Sequence, residues 1–378
     1  MIEKFDVIVA GVGGMGAAAC YHLARRDMKV LGLERFGIPH AMGSSHGVNR
    51  IIRLAYYEDP SYVPLLRRAF ELWRELGHDF GEQVLYVTGS IDTGPVDEFV
   101  FRESKQSCDL HDLPHDVLSA QELMRRYPAF SVPDDFQAVL QPDGGFVASE
   151  RAIVAHVEGA MECGAVIRGY EPMLSWTTTT SGVKIETTKG IYEAEQLIVS
   201  TGAWIGNHVP LLSGVSVPER QVLGWFQPAH PERFSLDTLP VFNLQADAHE
   251  RYYGFPIWGI PGFKFGKYHH REEQIDPDDW DRQPNQADEE VLREGVRRFF
   301  PDADGPVMSL ASCIFTNTPD EHFIIDRLAP GSPVIVASPC SGHGYKFASV
   351  IGEILADLAI NDRTDHNIDL FRLNRFMA

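Results

Sequence analysis

Long hydrophobic runs are missing from this chain. No stretch of its 378 residues approaches the roughly 18 consecutive apolar side chains of a membrane-spanning helix, so no membrane association is expected. Basic residues are in deficit: 33 Lys and Arg face 53 Asp and Glu, for a formal net charge of −20. Such a surface repels nucleic acid and anionic lipid alike, and neither is expected as a partner. Cysteine is scarce too. Cys20, Cys108, Cys163, Cys313 and Cys340 are scattered and odd in number, with no C-x-x-C pair, which argues against a disulfide framework, a metal site or a redox dithiol. Reduced thiols suit a cytoplasmic protein. No secretory leader is expected, because the first strand begins almost at once and glycines break its apolar stretch. Internal repeats and low-complexity tracts are also lacking. What remains is an ordinary globular composition, 44% hydrophobic and 23% charged, long enough for a large core and two or three domains.

Against this plain background the N-terminus stands out. Phe5 to Ala10 reads as a buried strand running into Gly11-Val12-Gly13-Gly14-Met15-Gly16, and a helix is expected from about Met15 to Arg26. A second strand, Lys29 to Leu33, ends on Glu34. Gly11, Gly13 and Gly16 match G-x-G-x-x-G between a strand and a helix, the setting in which that spacing binds a dinucleotide. The first glycine permits a tight turn, the second a close approach to a pyrophosphate, and the third tight packing of helix on strand. Unpaired N–H groups at the helix start favour phosphate. Glu34 is placed to accept hydrogen bonds from a ribose diol.

An amphipathic helix is expected from about Tyr62 to Leu76, then a change of texture near Val84 to short β-rich runs and turns. A helix near Glu150 to Cys163 and strands at Gly182 to Thr187 and Gln196 to Thr201 follow. Val217 to Phe315 is again β-rich. The last part returns to α/β rhythm, with a strand at Val334 to Ala337, a glycine-rich loop and a helix carrying Phe347, Val350, Ile351, Ile354, Leu355 and Leu358. The fold class read from this order is α/β: a Rossmann-type nucleotide-binding domain built from discontinuous segments, plus a β-rich α+β substrate domain. The first takes residues 1–84, 146–216 and 320–378; the second takes 85–145 and 217–319.

Four further segments carry candidate chemistry. In Gly43-Ser44-Ser45-His46-Gly47-Val48-Asn49-Arg50-Ile51-Ile52-Arg53, two arginines three apart would point the same way if locally helical or tightly turned, and arginine suits carboxylate; a solvated loop reads equally well. Lys264 lies between Phe263 and Phe265, so it is either buried with a task or a snorkelling edge-strand lysine. Cys313 alone reads as a small buried hydrophobe. Ser341-Gly342-His343-Gly344-Tyr345-Lys346 opens a helix, where Lys346 could hold a carboxylate or simply be solvated.

Taken together and in order, GSSHGVNRIIR, YGFP followed by lysine and histidine, CIFTNTPDEHFIID and SGHGYKF resemble the monomeric sarcosine oxidase and N-methyltryptophan oxidase family of D-amino acid oxidase-like flavoproteins. The resemblance runs end to end. It implies FAD, held at Gly11, Gly13, Gly14, Met15, Gly16, Glu34, Ser44, Ser45, Gly342, His343, Gly344 and Lys346, and joined covalently through an 8α thioether to Cys313. It implies that Arg53 and Lys346 hold the substrate carboxylate, with Tyr253 and Phe315 also at the substrate. Arg50 and His46 would line flavin and active site, Lys264 would activate oxygen, and His269 would be the active-site histidine. Two departures stand out. One residue is inserted between lysine and histidine, leaving His269 against His270, and Lys264 against Lys267, open. Phe315 replaces the tyrosine of sarcosine oxidases.

The implied activity is oxidation of sarcosine or another N-methyl amino acid to an imine. The imine hydrolyses to aldehyde and primary amino acid, while oxygen is reduced to hydrogen peroxide. The implied partners are a small amino acid and oxygen, acting on a monomer. Cyclic imino acids such as proline or pipecolate, and fructosyl amino acids, are alternative substrates. An NAD-dependent dehydrogenase or a non-catalytic flavin-binding protein are the readings outside the class.

Overall fold

The structure is a computed structural model that describes residues 2–376. Glu3–Ala10 is the hub of an eight-stranded sheet. It pairs in parallel with Val30–Leu33 on one side and Ile191–Val199 on the other, and parallel partners Val166–Arg168 and Val334–Ser338 extend the two flanks. A parallel sheet must be covered on both faces. Helices Gly14–Ala24, Val63–Phe80, Ser149–Glu162 and Ala348–Asn361 cover one face, burying Val7 and Val9. Apolar side chains from Met173, Val183, Ile185, Ile205 and Leu212 cover Ile8 and Ala10 on the other.

Gly14–Ala24 is built from small residues and is buried on almost every side. Its neighbours meet it closely: a Cβ on Gly352 would lie 2.5 Å from the carbonyl carbon of Ala18. Val63–Phe80 runs four residues beyond its expected end and stops at Gly81, whose φ of +70° suits a left-handed cap. Phe347, expected on the last helix, lies on a 3₁₀ turn at Tyr345–Phe347 that precedes it.

A second eight-stranded sheet runs in the order Val307–Asn317, Val217–Phe226, Phe263–Lys267, Arg251–Phe255, Val241–Gln245, Ser90–Pro95, Phe136–Gln141 and Asp116–Ser119. It is antiparallel except where Val241–Gln245 meets Ser90–Pro95. One face buries Ile91, Val222, Phe242, Leu244, Tyr252, Phe263 and Phe265 in an apolar core with helix Gln286–Phe299. A small sheet of Asn49–Ile52, Gly145–Ala148 and Leu85–Val87 completes the architecture. The β-rich texture expected from Val84 therefore begins as a short strand, Leu85–Val87, and a turn at Gly89, after which the chain enters the larger sheet.

Arg50 and Arg53 do not share a helical turn. Asn49–Ile52 is extended, so residues three apart face opposite ways and the two guanidinium groups diverge.

Helix contact at Gly352 gives a test of this packing. Gly352→Ala forces a methyl group against the Ala18 backbone, which costs about 1–3 kcal/mol. The expected outcome is a thermal midpoint lower by several degrees, measured by circular dichroism. An unchanged midpoint shows that the two helices separate freely.

Candidate active site

The glycine turn is held by backbone geometry that side chains would break. Gly11 has φ of +89°, and a Cβ there would lie 2.6 Å from the Ser200 carbonyl oxygen. A Cβ on Gly16 would collide with the Gly11 carbonyl oxygen. Glu34, at the end of the next strand, accepts hydrogen bonds from the Val12 N–H at 2.8 Å and the Phe36 N–H at 3.0 Å. A cavity of about 430 Å³ starts at this turn and at Glu34, passes Met15, Ser44 and Ser45, and reaches Arg50, Phe315, Gly342 and Gly344. Its wall is notable for polar atoms without partners. Ser44 Oγ, Thr201 Oγ1 and Thr316 Oγ1 are buried and unbonded on residues that line it, and so is Nε2 of nearby His46. Buried polar groups are normally satisfied, so these mark where a polar ligand bonds.

Cys313 precedes Ile314, Phe315 and Thr316 of the cavity wall. Its neighbours are the Arg50 guanidinium, 3.6 Å from Sγ, and the Ser44 carbonyl oxygen at 3.8 Å. Burial opposes ionisation of the thiol, but the His46 ring and Arg50 overcome it and pull the thiol down to about 7. Cys20, Cys108 and Cys340 are all pushed up by burial instead.

Lys264 is buried, and Lys267 is partly exposed at the strand's end. The Lys264 ammonium donates to the Gly47 carbonyl at 2.7 Å, the Asn49 carbonyl at 2.9 Å and Asn49 Oδ1 at 2.7 Å. It sits 4.1 Å from the Phe255 ring centroid. Burial, helped by the Arg50 charge, pushes it well below the usual lysine range.

Arg53 is buried in a cluster that no motif announced. Its guanidinium donates to Glu58 Oε2 at 2.7 Å, approaches Asp92 to 3.8 Å, and packs over the rings of Tyr56 and Tyr57 at 4.5 and 3.9 Å. Burial raises Asp92, whereas Arg53, His343 and Lys346 overcome the same burial penalty and hold Glu58 down at about 2. Lys346 donates to the His343 carbonyl at 2.6 Å, and burial lowers it to about 7 against the pull of Glu58.

The two histidines separate cleanly. His269 leaves its strand with φ of +51° and puts its ring 6.4 Å from that of Phe315. Hydrogen bonds that its ring donates to the Glu219 and Glu321 carboxylates, with nitrogen–oxygen distances of 3.1 and 3.4 Å, raise it to about 9. His270 turns to the opposite side, where it meets Asp288 at 3.3 Å and burial lowers it to about 4. Tyr253 faces the same way as Lys264, its ring filling the space left by Gly266. His343 is fully engaged by protein: Tyr56 Oη bonds Nδ1 at 2.7 Å and Nε2 donates to the Glu321 carbonyl at 2.9 Å. Its two ring nitrogens are therefore both taken by protein partners. Glu58, Asp92, Glu219 and Glu321 were not anticipated; only the position of Glu58, five residues after Arg53, offered a local signal.

The profile of the FAD dependent oxidoreductase family matches residues 6–358. The chain belongs to that family. It is 40% identical over 383 residues to a monomeric sarcosine oxidase of a Bacillus species, covering 99% of this chain and 98% of that one. It is 36% identical over 381 residues to N-methyl-L-tryptophan oxidase of Escherichia coli, covering 99% and 100%. The structure of L-proline dehydrogenase from P. horikoshii superposes with a TM-score of 0.84 at 20% identity over 100% and 99% of the two chains, a likeness of fold. The protein is an FAD-dependent oxidoreductase acting on CH–NH donors. The glycine cradle, Glu34 and the unbonded cavity atoms fit that cofactor. Among the described residues there is no cluster able to hold a metal ion and no helix long and apolar enough to cross a membrane.

The elevated His269 has a stability signature. A group raised from about 6.5 to about 9 stabilises the fold fully below pH 6.5, and that contribution is lost as pH rises through 9. Glu219→Gln should lower the His269 titration midpoint, read by NMR of the imidazole, and weaken the alkaline loss of stability. An unmoved midpoint would show that Glu219 does not hold the proton there.

Proposed function

We propose that this enzyme oxidises secondary amino acids, sarcosine or another N-methyl amino acid, to an imine that hydrolyses to an aldehyde and the primary amino acid. Oxygen becomes hydrogen peroxide, and the protein works as a monomer in the cytoplasm. The observation that carries this reading is the buried cation pair of Arg53 and Lys346, which share the Tyr56 ring at 4.5 and 5.3 Å, with Lys346 following Gly344 and Tyr345 of the cavity wall. Residues 1–84, 146–216 and 320–378 form the FAD-binding domain and residues 85–145 and 217–319 the substrate domain in this reading. The strand membership of the two large sheets supports that division.

Bound FAD supplies a two-electron acceptor that oxygen can regenerate. Gly11, Gly13, Gly14, Met15, Gly16 and the helix start hold its pyrophosphate, Glu34 its ribose, and Ser44, Ser45, Gly342 and Gly344 the remaining wall. Cys313 would carry the covalent 8α thioether, a link whose formation is a two-electron oxidation with oxygen as the final acceptor; its lowered titration favours the thiolate that such a bond needs. Arg53 and Lys346 bind the substrate carboxylate, which competes with Glu58 for the guanidinium. Held there, the reacting carbon keeps one orientation, an advantage of several kcal/mol. Tyr253 and Phe315 bound the space around the nitrogen substituent. His269, largely protonated at neutral pH, orients the substrate as a donor and is a poor base for its ammonium. Arg50 and His46 set the electrostatics around Cys313. Lys264 stabilises the negative charge that develops as oxygen is reduced.

Hydrogen peroxide release from sarcosine, N-methyltryptophan, proline, pipecolate and fructosyl amino acids tests the reading. Release with an N-methyl amino acid supports it, and a lack of release with all of them refutes it. Cys313→Ala should yield a protein whose yellow colour is lost to the supernatant on acid precipitation, while the native protein's colour stays in the pellet. Colour lost from both would remove the covalent link. For Lys264→Met, a unit charge at about 4 Å and an effective dielectric of about 20 is worth roughly 4 kcal/mol, close to three decades in rate. Reoxidation by oxygen should fall by about that factor in stopped flow while anaerobic reduction is spared. Equal loss in both halves would assign Lys264 a structural role.

A further inference from the structure

Arg251 is a cation with no hydrogen-bonding partner at the edge of a site whose other cations all have one. Arg53 and Lys346 each have an acceptor within 2.7 Å, and His269 has one at 3.1 Å. The Arg251 side chain makes no hydrogen bond to any described residue; its nearest carboxylate, Glu321, is 4.0 Å away. Only 17% of the side chain is exposed. Its guanidinium packs instead over the Tyr268 ring at 4.2 Å and near the Tyr57 ring at 5.9 Å. Tyr57 carries Arg53 at 3.9 Å, so the two guanidinium groups have one aromatic ring as a common neighbour. A largely buried arginine whose five N–H donors make no hydrogen bond is costly to hold unless something binds it.

The register of the sheet places Arg251 on the site face. Gln245 pairs with Arg251 and Asn243 with Tyr253, and Tyr253 in turn pairs with Gly266. Around it the wall is polar. Tyr57 and Tyr268 hydroxyls lie 3.3 Å apart and each is 3.4 Å from Asn243 Oδ1, while Asn243 donates to buried Asp92 at 2.7 Å. Such a wall suits a polar substituent and penalises an apolar one. Glu321 repels an anion locally, but His269 and Arg251 flank it on both sides.

Resting on the oxidase reading above, we propose that Arg251 is a second anion-binding group, and that the substrate is an N-substituted amino acid bearing a side-chain carboxylate. The α-carboxylate binds at Arg53 and Lys346, and the second carboxylate binds at Arg251.

The test compares isosteres that match in shape and differ in charge on the holoenzyme. Peroxide release should show kcat/KM for N-methyl-L-glutamate exceeding that for N-methyl-L-glutamine by roughly 10- to 100-fold, the range of a charged hydrogen bond. Arg251→Gln should abolish that preference while changing sarcosine turnover by less than about threefold. Equal use of the two isosteres by the native enzyme overturns the proposal, as does a variant that loses sarcosine and N-methyl-L-glutamate turnover alike. A second measurement does not depend on turnover. Titration of the flavin absorbance with glutarate and with butyrate should show tighter binding of the dicarboxylate, and Arg251→Gln should remove the difference. Dicarboxylate preference without any oxidation would keep Arg251 as the anion site and discard the oxidase reading. Oxidation without dicarboxylate preference would do the reverse.

Discussion

Phe263 and Phe265 are drawn into an apolar core with Phe242, Tyr252 and Phe300, and successive side chains of a strand point to opposite faces. Lys264 between them is therefore forced to the opposite face, against Gly47 and Asn49. The same alternation acts on every strand beside it. Val222 faces the core while Gln221 faces the site with its register partner Cys313. Tyr252 faces the core while Arg251 and Tyr253 face the site. Ile91 faces the core while Asp92 and its partner Asn243 face the site. A slip of one residue would bury Lys264 among phenylalanines and expose the core, so the hydrophobic face fixes the chemistry of the polar face.

The polar face is costly in its turn. Arg53, Lys264, Lys346, Glu58 and Asp92 are withdrawn from water, and an ion pair so buried seldom adds net stability. The cost is limited by a charge pair and by hydrogen bonds: Arg53 lies against Glu58, Lys264 bonds three uncharged oxygens, and Asp92 accepts from Asn243 and Ser104. Stability must come from elsewhere, and the close packing of Gly14–Ala24 against Ala348–Asn361 is one source. The fold thus separates the parts that hold it together from the parts that act.

What the sequence made legible was local. The strand, glycine turn and helix of a nucleotide site lie within a few dozen residues, and Gly11 and Gly16 have steric reasons that survive in the structure. The motifs around Arg53, Lys264, Cys313 and Lys346 were also readable, because each is a contiguous string. Their partners were not. Asp92 comes to Arg53 from 39 positions away in the chain, and Glu219 comes to His269 from 50, so no spacing rule links them. The choice between His269 and His270 was beyond a linear reading as well, since it turns on a positive φ at one residue. Arg50 and Arg53 look like a pair in sequence and become separate in space, because extended backbone sends them to different neighbours.

The strongly acidic surface and the cation-rich site belong to different length scales. At physiological ionic strength exposed charges are screened beyond about 8 Å, so the net charge of −20 acts mainly on approach and solubility. Inside the cavity the dielectric is lower and the nearest charges dominate. A zwitterionic amino acid feels little of the outer field and much of Arg53 and Lys346. An added negative side chain would be repelled slightly outside and held strongly inside only where a guanidinium awaits it. Arg251 is the group whose position satisfies that condition, because Arg53 is already shared by Glu58 and Asp92 and Lys346 already bonds the His343 carbonyl.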